Sequence, residues 1–140
     1  IRFRGQGTYS NHPVLITYKD RLLTADDFQI ELTIKDLKKN FTFADKALMP
    51  PVLPDAQLQI KDKTIDKHFL ITKPSKEIYA LKLTKEDMVF ILDNISLFEK
   101  IMIMTEGDKI KIHWSNFEKR IISAEEVRKV LDWIIRKCSD

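Results

Sequence analysis

Two carboxylates and an imidazole lie close together in the middle of the chain, at Asp62, Asp66 and His68. Such groups can exchange protons with a substrate, so this cluster is a candidate acid–base site. The same residues have a structural interpretation, in which the two aspartates accept hydrogen bonds from turn amides and His68 lies on the solvated face of a strand. We favour the structural interpretation and keep an enzyme centred on these three residues as the alternative.

Other familiar chemistries need residues that the chain does not have. Its three glycines, Gly5, Gly7 and Gly107, are too few for a glycine-rich nucleotide-binding loop. Gly5 and Gly7 fall within a predicted strand, where glycine usually indicates a bulge or a close backbone approach. The single cysteine, Cys138, and three scattered histidines lack the spacing of a zinc site. We therefore expect neither a metal nor a cofactor, and a single thiol is typical of a reducing compartment.

Basic residues suggest a third possibility, electrostatic binding of nucleic acid or anionic lipid. The chain carries a formal net charge of +3. The basic side chains fall on the predicted outer side of the last helix and on one strand face: Arg128, Lys129, Arg136 and Lys137, and Lys109, Lys111 and His113. Base stacking would also need an exposed aromatic residue, for which Trp133 is the one candidate. The pattern argues against nucleic acid and leaves a protein partner or a membrane surface, with the partner itself unknown.

The first third of the chain, residues 1–48, is predicted to be mainly β. A hairpin joins residues 2–9 to residues 13–19 through a turn at 10–12. Residues 28–35 alternate strictly between apolar and polar, which predicts a strand with Phe28, Ile30, Leu32 and Ile34 on its buried face. Residues 41–44 form a plausible partner for that strand across a short turn. Residues 49–56 contain three of the five prolines, which predicts a stiff connector.

Residues 57–140 are predicted to contain a strand, two helices, a hairpin and a last helix. The strand is placed around residues 68–72, and the two helices begin at Ser75 and at Thr84, where Asp87 completes a capping box. The second helix is expected to bury Met88, Ile91, Leu92 and Ile95. Residues 100–105 and 109–114 flank a glycine-containing turn.

The last helix opens with a capping box at Ser123 and Glu126. One face of it is apolar and should close the core: Val127, Val130, Leu131, Ile134, Ile135 and Cys138. Residues 1–140 therefore read as a single α+β domain. We expect an antiparallel or mixed β-sheet with two or three helices packed on one side.

Two short patterns carry a family resemblance. Gly7 is followed by Pro13-Val14 and a strand, and later an aspartate at 62, the pair Ile65-Asp66 and Phe69 precede a strand and two helices. In these features the chain resembles an uncharacterised family of soluble domains, a domain of unknown function that follows N-terminal transmembrane helices in many prokaryotic proteins. The family has an aromatic residue where this chain has Ile65, and a glycine where it has Lys61.

The resemblance implies a membrane-tethered protein, and it brings no known activity with it. The chain begins at Ile1 without an initiator methionine, so we expect an anchoring segment before it. Together these observations predict a non-enzymatic binding or scaffold module, displayed on the cytoplasmic side of a membrane.

Overall fold

A computed structural model describes residues 2–19, 27–48, 57–58, 60, 62–115 and 123–139. Seven strands are present in these residues: β1 (Arg2–Tyr9), β2 (His12–Lys19), β3 (Asp27–Thr33), β4 (Thr42–Asp45), β5 (Phe69–Ile71), β6 (Ile101–Glu106) and β7 (Lys109–Ser115). They also contain four α-helices: α1 (Lys63–His68), α2 (Lys85–Asp93), α3 (Ile95–Phe98) and α4 (Ala124–Ser139). Short 3₁₀ helices occupy Lys46–Leu48 and Glu77–Tyr79.

The seven strands form one antiparallel sheet in the order β1-β2-β3-β7-β6-β4-β5. Sequence neighbours pair at the β1–β2 and β6–β7 hairpins, where tight turns favour local pairing. The centre of the sheet joins β3 to β7, two strands far apart in sequence. Residues from both halves of the chain thus lie side by side in one sheet.

Apolar side chains line up across one face of the sheet. The register places six of them opposite one another, strand by strand: Ile16, Ile30, Ile112, Ile103, Phe43 and Ile71. All four α-helices add buried side chains to the same cluster, among them Ile65, Ile91, Phe98 and Trp133. The described core is therefore a single layer between this sheet face and the helices.

The predicted fold class, α+β, is confirmed, and the sheet is antiparallel. Among the described residues there are four α-helices, not two or three. The extra helices are short: α1 begins where we expected the lead-in to a strand, and α3 follows α2 after one residue, Asn94. The strand expected around residues 68–72 is the shorter β5, and His68 is the last residue of α1.

Two local predictions are wrong in their partners or extent. Strand β4 pairs with β5 and β6 and not with β3, because β3 already lies between β2 and β7. Ser75 caps no α-helix, and only the 3₁₀ helix Glu77–Tyr79 follows it. The proline-rich connector, residues 49–56, lies outside the described residues.

The capping predictions for the two long helices are confirmed. Thr84 and Asp87 form the capping box of α2, and Ser123 exchanges hydrogen bonds with Glu126 at the start of α4. The apolar face of α4 packs on the core as expected. On α2, Ile91 is buried and Met88 and Leu92 pack against the core as expected, but the helix ends at Asp93, and Ile95 lies in α3 and is 39% exposed.

Candidate functional site

The predicted acid–base cluster lies at the two ends of α1. The Asp62 carboxylate is the N-cap of this helix, and its Oδ1 accepts hydrogen bonds from the amides of Thr64 at 2.9 Å and Ile65 at 3.1 Å. An N-terminal carboxylate stabilises a helix by satisfying amides that have no partner within it. Asp62 thus begins α1, as the structural interpretation predicts.

The other two members of the cluster face different surroundings. Asp66 is half-buried in the first turn of α1, and its amide donates to the Asp62 carbonyl at 2.9 Å. His68 is exposed at the end of the helix, with its ring centre 6.5 Å from that of Phe69. In the described part of the chain, no group of three or more histidine, cysteine, aspartate or glutamate side chains could hold a metal ion. An enzyme at these residues stays a prediction.

The carboxylate of Asp87, expected only as a capping residue of α2, is buried between α2 and α4. Oδ2 of Asp87 accepts from Lys137 Nζ at 2.7 Å and from the Thr84 amide at 2.8 Å. Its Oδ1 accepts from Trp133 Nε1 at 3.0 Å. Burial by itself would raise the pKa of Asp87, but these hydrogen bonds and the ammonium outweigh it and hold the pKa below its ordinary value.

These contacts correct two expectations about α4. Lys137 does not lie on the outer side of the helix, because it pairs with Asp87 and its side chain is only 14% exposed. Trp133 cannot stack on nucleic-acid bases, because it is buried among Phe43, Phe90 and Phe98. Both side chains fasten α4 to α2, and the carboxylate is saturated by protein donors.

The expected basic strand face is largely neutralised by neighbouring acids. On β7, Lys111 pairs with Glu106 at 2.8 Å, and His113 lies 3.2 Å from Asp27. Lys109 lies 3.9 Å from Glu31. Exposed ion pairs of this kind add little stability, but they cancel much of the field that an anionic ligand would meet. Free positive charge is thus confined mainly to other surfaces, such as the exposed side of α4.

An apolar groove lies between the β1–β2 hairpin and the start of α4. We call it the hairpin groove. It has a volume of about 430 Å³. Residues of the sheet line one side of it: Thr8, Tyr9, Val14, Ile16, Phe28 and Ile30. Residues at the start of α4 line the other side: Ser123, Ala124, Val127, Arg128 and Leu131. The hydroxyl of Tyr9 donates to Asp132 Oδ1 at 2.5 Å, which ties the hairpin tip to α4 and raises the pKa of Tyr9. The groove is of a size that suits side chains or a small apolar ligand.

The outer edge of β1 borders this groove. Ser10 and Asn11 have φ angles of 48° and 66°, the backbone of a two-residue type I′ turn. In such a hairpin the flanking pair, Tyr9 and His12, exchanges both backbone hydrogen bonds, and the pairs then alternate. The amides and carbonyls of Arg4, Gln6 and Thr8 therefore point away from β2. No described residue pairs with this edge.

The two glycines of β1 lie where the apolar rows of the sheet would continue. Gly5 is opposite Ile16, and Gly7 is opposite Val14. The register runs through both without interruption, so the bulge that we expected at this pair is absent from β1. A Cβ atom built on Gly7 has no neighbouring atom within 4 Å. The groove side of β1 therefore carries no side chain at Gly5 or Gly7, and these positions lie beside the half-buried Val14 and Ile16.

The opposite edge of the sheet is already bordered by the chain. The amide of Leu58 donates to the Ile71 carbonyl at 2.9 Å, and Gln57 forms an isolated bridge with Thr72. A cavity of about 510 Å³ next to this segment is lined by Leu58, Ile60, Ile71, Glu77, Ala80, Leu81, Lys82, Leu83 and Met88. This cavity adjoins a strand edge that already pairs with another part of the chain.

Comparison with protein-family models, with curated proteins and with solved structures finds no match for this chain. No helix in the described residues is long and apolar enough to cross a membrane.

Proposed function

We propose that this chain is a non-enzymatic binding or scaffold module whose binding surface is the hairpin groove with the adjoining edge of β1. The observation that carries the proposal is the combination of an apolar groove with a strand edge whose outward backbone groups have no partner among the described residues. Folded proteins usually cover or blunt such an edge, because it can pair with another chain. An exposed edge next to an apolar groove therefore suits the capture of a partner.

A protein partner fits this surface better than a small polar substrate. The groove is lined mainly by apolar side chains, and the edge supplies a row of donors and acceptors at the spacing of an extended backbone. The acidic and basic groups of β3 and β7 are paired with one another, and the Asp87 carboxylate is saturated, so neither needs a ligand.

The membrane context belongs to the same proposal. The family resemblance at Gly7, Pro13-Val14 and Asp66 supports a module tethered through a transmembrane segment. A single cysteine, buried at Cys138, suits the cytoplasmic side, where thiols stay reduced. On this proposal the groove holds a partner at the membrane surface, and the lipid itself is not the ligand.

Photocrosslinking in the cells that naturally produce the protein tests the proposal. A photoreactive residue at Thr8, on the rim of the groove, should give discrete crosslinked products. The same residue at Lys85, exposed at the start of α2, serves as the control and should give none of them. If the Thr8 site yields no product, or the same products as the Lys85 site, the hairpin groove is not the binding surface.

A further inference from the structure

We infer that β1 binds an extended segment of a protein partner as an eighth strand, with large apolar side chains over Gly5 and Gly7 and acidic side chains on the other face. The inference rests on the proposed function and specifies the partner's chemistry. It follows from three features of β1: the direction of its outward backbone groups, which have no partner among the described residues, the position of its glycines and the charge of its exposed face.

The backbone groups fix the mode of binding. Arg4, Gln6 and Thr8 alternate along β1, and their amides and carbonyls point outward. An added strand can pair with all three residues and so extend the sheet without any change in the β1–β2 register. Strand addition of this kind draws its affinity from main-chain hydrogen bonds and its specificity from alternate side chains.

The glycines determine which side chains the partner must carry. Side chains at alternate positions of the added strand stand over the groove side of β1, where Gly5 and Gly7 contribute nothing. Large apolar or aromatic residues there would cover Val14 and Ile16 and complete the two apolar rows. An aromatic residue beside an edge glycine is a known way to stabilise such a pair.

In the antiparallel register that pairs Arg4, Gln6 and Thr8 of both copies, a second copy of the chain does not meet this requirement. If two β1 strands pair antiparallel about Gln6, Gly5 of one copy lies opposite Gly7 of the other. Glycine then faces glycine at the centre of the interface, and the hairpin groove of each copy stays unfilled. A partner with side chains at these positions buries apolar surface that self-pairing leaves exposed.

The charge of the exposed face selects an acidic partner. Arg4 and Lys19 are exposed and lie on the face of the hairpin away from the groove, since both alternate with the groove-facing residues. Asp27 lies opposite Lys19 in the register, but it is engaged with His113 at 3.2 Å. Acidic residues that alternate with the apolar ones would therefore meet positive charge.

A synthetic peptide tests the inference directly. The probe is a capped peptide of about nine residues in which glutamate alternates with phenylalanine and valine, long enough to span an average strand. Its controls are a scrambled peptide of equal composition and the same alternation with lysine in place of glutamate. Backbone NMR titration of the chain should show saturable binding of the probe, with the largest shifts in β1. Both controls should bind at least about tenfold more weakly, a difference of about 1.4 kcal/mol.

Two pairs of variants separate the contributions of side chains and backbone. Gly7→Val fills the groove side of β1 and should weaken binding of the probe about tenfold or more. A tenfold change corresponds to about 1.4 kcal/mol. The control for this variant, Thr17→Val, introduces valine on β2 on the opposite face of the hairpin and should retain binding. Gln6→Pro removes an outward amide without breaking the β1–β2 ladder. Gln6→Pro should also weaken binding of the probe. Lys85→Pro, in the first turn of α2, should not.

Several outcomes would overturn the inference. Sedimentation that shows a dimer abolished by Gln6→Pro would make the second copy the occupant. Binding to anionic vesicles that Gly7→Val abolishes would make lipid the ligand. Discrete crosslinks at Thr8 together with no probe binding would preserve the proposed function and reject strand addition. Failure of both experiments would reject the two proposals together.

Discussion

The two outer strands of the sheet differ in what borders them. At β5 the segment at Gln57 and Leu58 pairs with the edge, and the sheet face is packed with aromatic rings. Phe43 stacks on Phe69 with ring centres 5.0 Å apart, and Phe98 meets Trp133 edge to face at 5.6 Å. At β1 the edge has no partner in the described residues, and the equivalent positions of the sheet face are glycines.

This difference separates two roles within one sheet. The β5 end concentrates buried area, ring contacts and the Asp87 network, so it should hold most of the stability. At the β1 end, apolar side chains are half-buried and the outward backbone groups have no partner among the described residues. These features cost stability and permit binding. Stability and binding should therefore respond to different mutations, and the experiments below are arranged by the size of the expected effect.

The largest effect is expected at the β5 end. Phe43 is fully buried and contacts three other rings, so Phe43→Ala should lower the free energy of unfolding by about 3–5 kcal/mol. Val14→Ala at the β1 end removes two methyl groups from a half-buried site and should cost about 1 kcal/mol. Urea unfolding of both variants measures the difference. Equal losses would mean that the two ends are equally well packed.

Substitutions in α4 test whether this helix, which lines the hairpin groove, also belongs to the core. Leu131 is 5% exposed, so Leu131→Ala should cost about 2–5 kcal/mol and lower the melting temperature by many degrees. Lys129 is exposed on the other side of the helix, and Lys129→Ala should change stability by less than about 0.5 kcal/mol. If Leu131→Ala melts with the parent, α4 is not a structural wall of the groove.

The buried carboxylate makes stability depend on pH. The pKa of Asp87 is lowered in the folded state, so its ionised form contributes stability that is fully present above the unfolded-state pKa near 4. That contribution is lost as the pH falls through the lowered pKa. Asp87→Asn should lower the free energy of unfolding by about 1–3 kcal/mol at pH 7. As the pH falls below 5, this variant should lose less stability than the parent does.

The control for this prediction is Asp93→Asn, at the exposed end of the same helix. Urea unfolding from pH 7 to pH 3 should give the parent and Asp93→Asn similar profiles. The double variant Asp87→Asn with Lys137→Met should be more stable than the sum of the single losses predicts, because each single change leaves a charge or a polar group unpaired. Additive losses would show that the pair is not coupled.

Only a small effect on stability is expected at Gly7. Its φ is not in the left-handed region and its groove side is open, so Gly7→Val should be accepted with a change within about 1 kcal/mol. Val favours strands more than glycine does, and the sign of the change should be stabilising. A large loss of stability would mean that the groove side of β1 is occupied in the free chain.

The sequence predicted the local parts of this fold well and the long-range parts poorly. Local patterns in the sequence, which involve only neighbouring residues, predict the β1–β2 hairpin, the alternation in β3 and the apolar face of α4. The pairing of β3 with β7 and the place of β4 beside β6 depend on the assembly of the whole core, so adjacency in the chain was a poor guide for β4.

The candidate site shows the same division. Asp62 could be recognised as an acceptor for nearby backbone amides, because such bonds are local, but the helix that it caps was not predicted. The Asp87 network joins residues 46 positions apart, and only its capping box was visible in the sequence. The hairpin groove could not be anticipated either. Gly5 and Gly7 could be noticed in the sequence. Their role depends on the position of β1 at the end of the sheet, where they lie opposite Ile16 and Val14.

The central claim is that β1 is an open edge in the free chain, and residue-specific amide hydrogen exchange tests it most directly. In the chain without any partner, the amides of Gly5, Gly7 and Tyr9 should be protected by β2. Those of Arg4, Gln6 and Thr8 should exchange much faster, and the β1–β2 ladder should produce this alternation along the strand. Slow exchange at Arg4, Gln6 and Thr8 in the monomeric chain would show that the edge is already paired and would contradict the account.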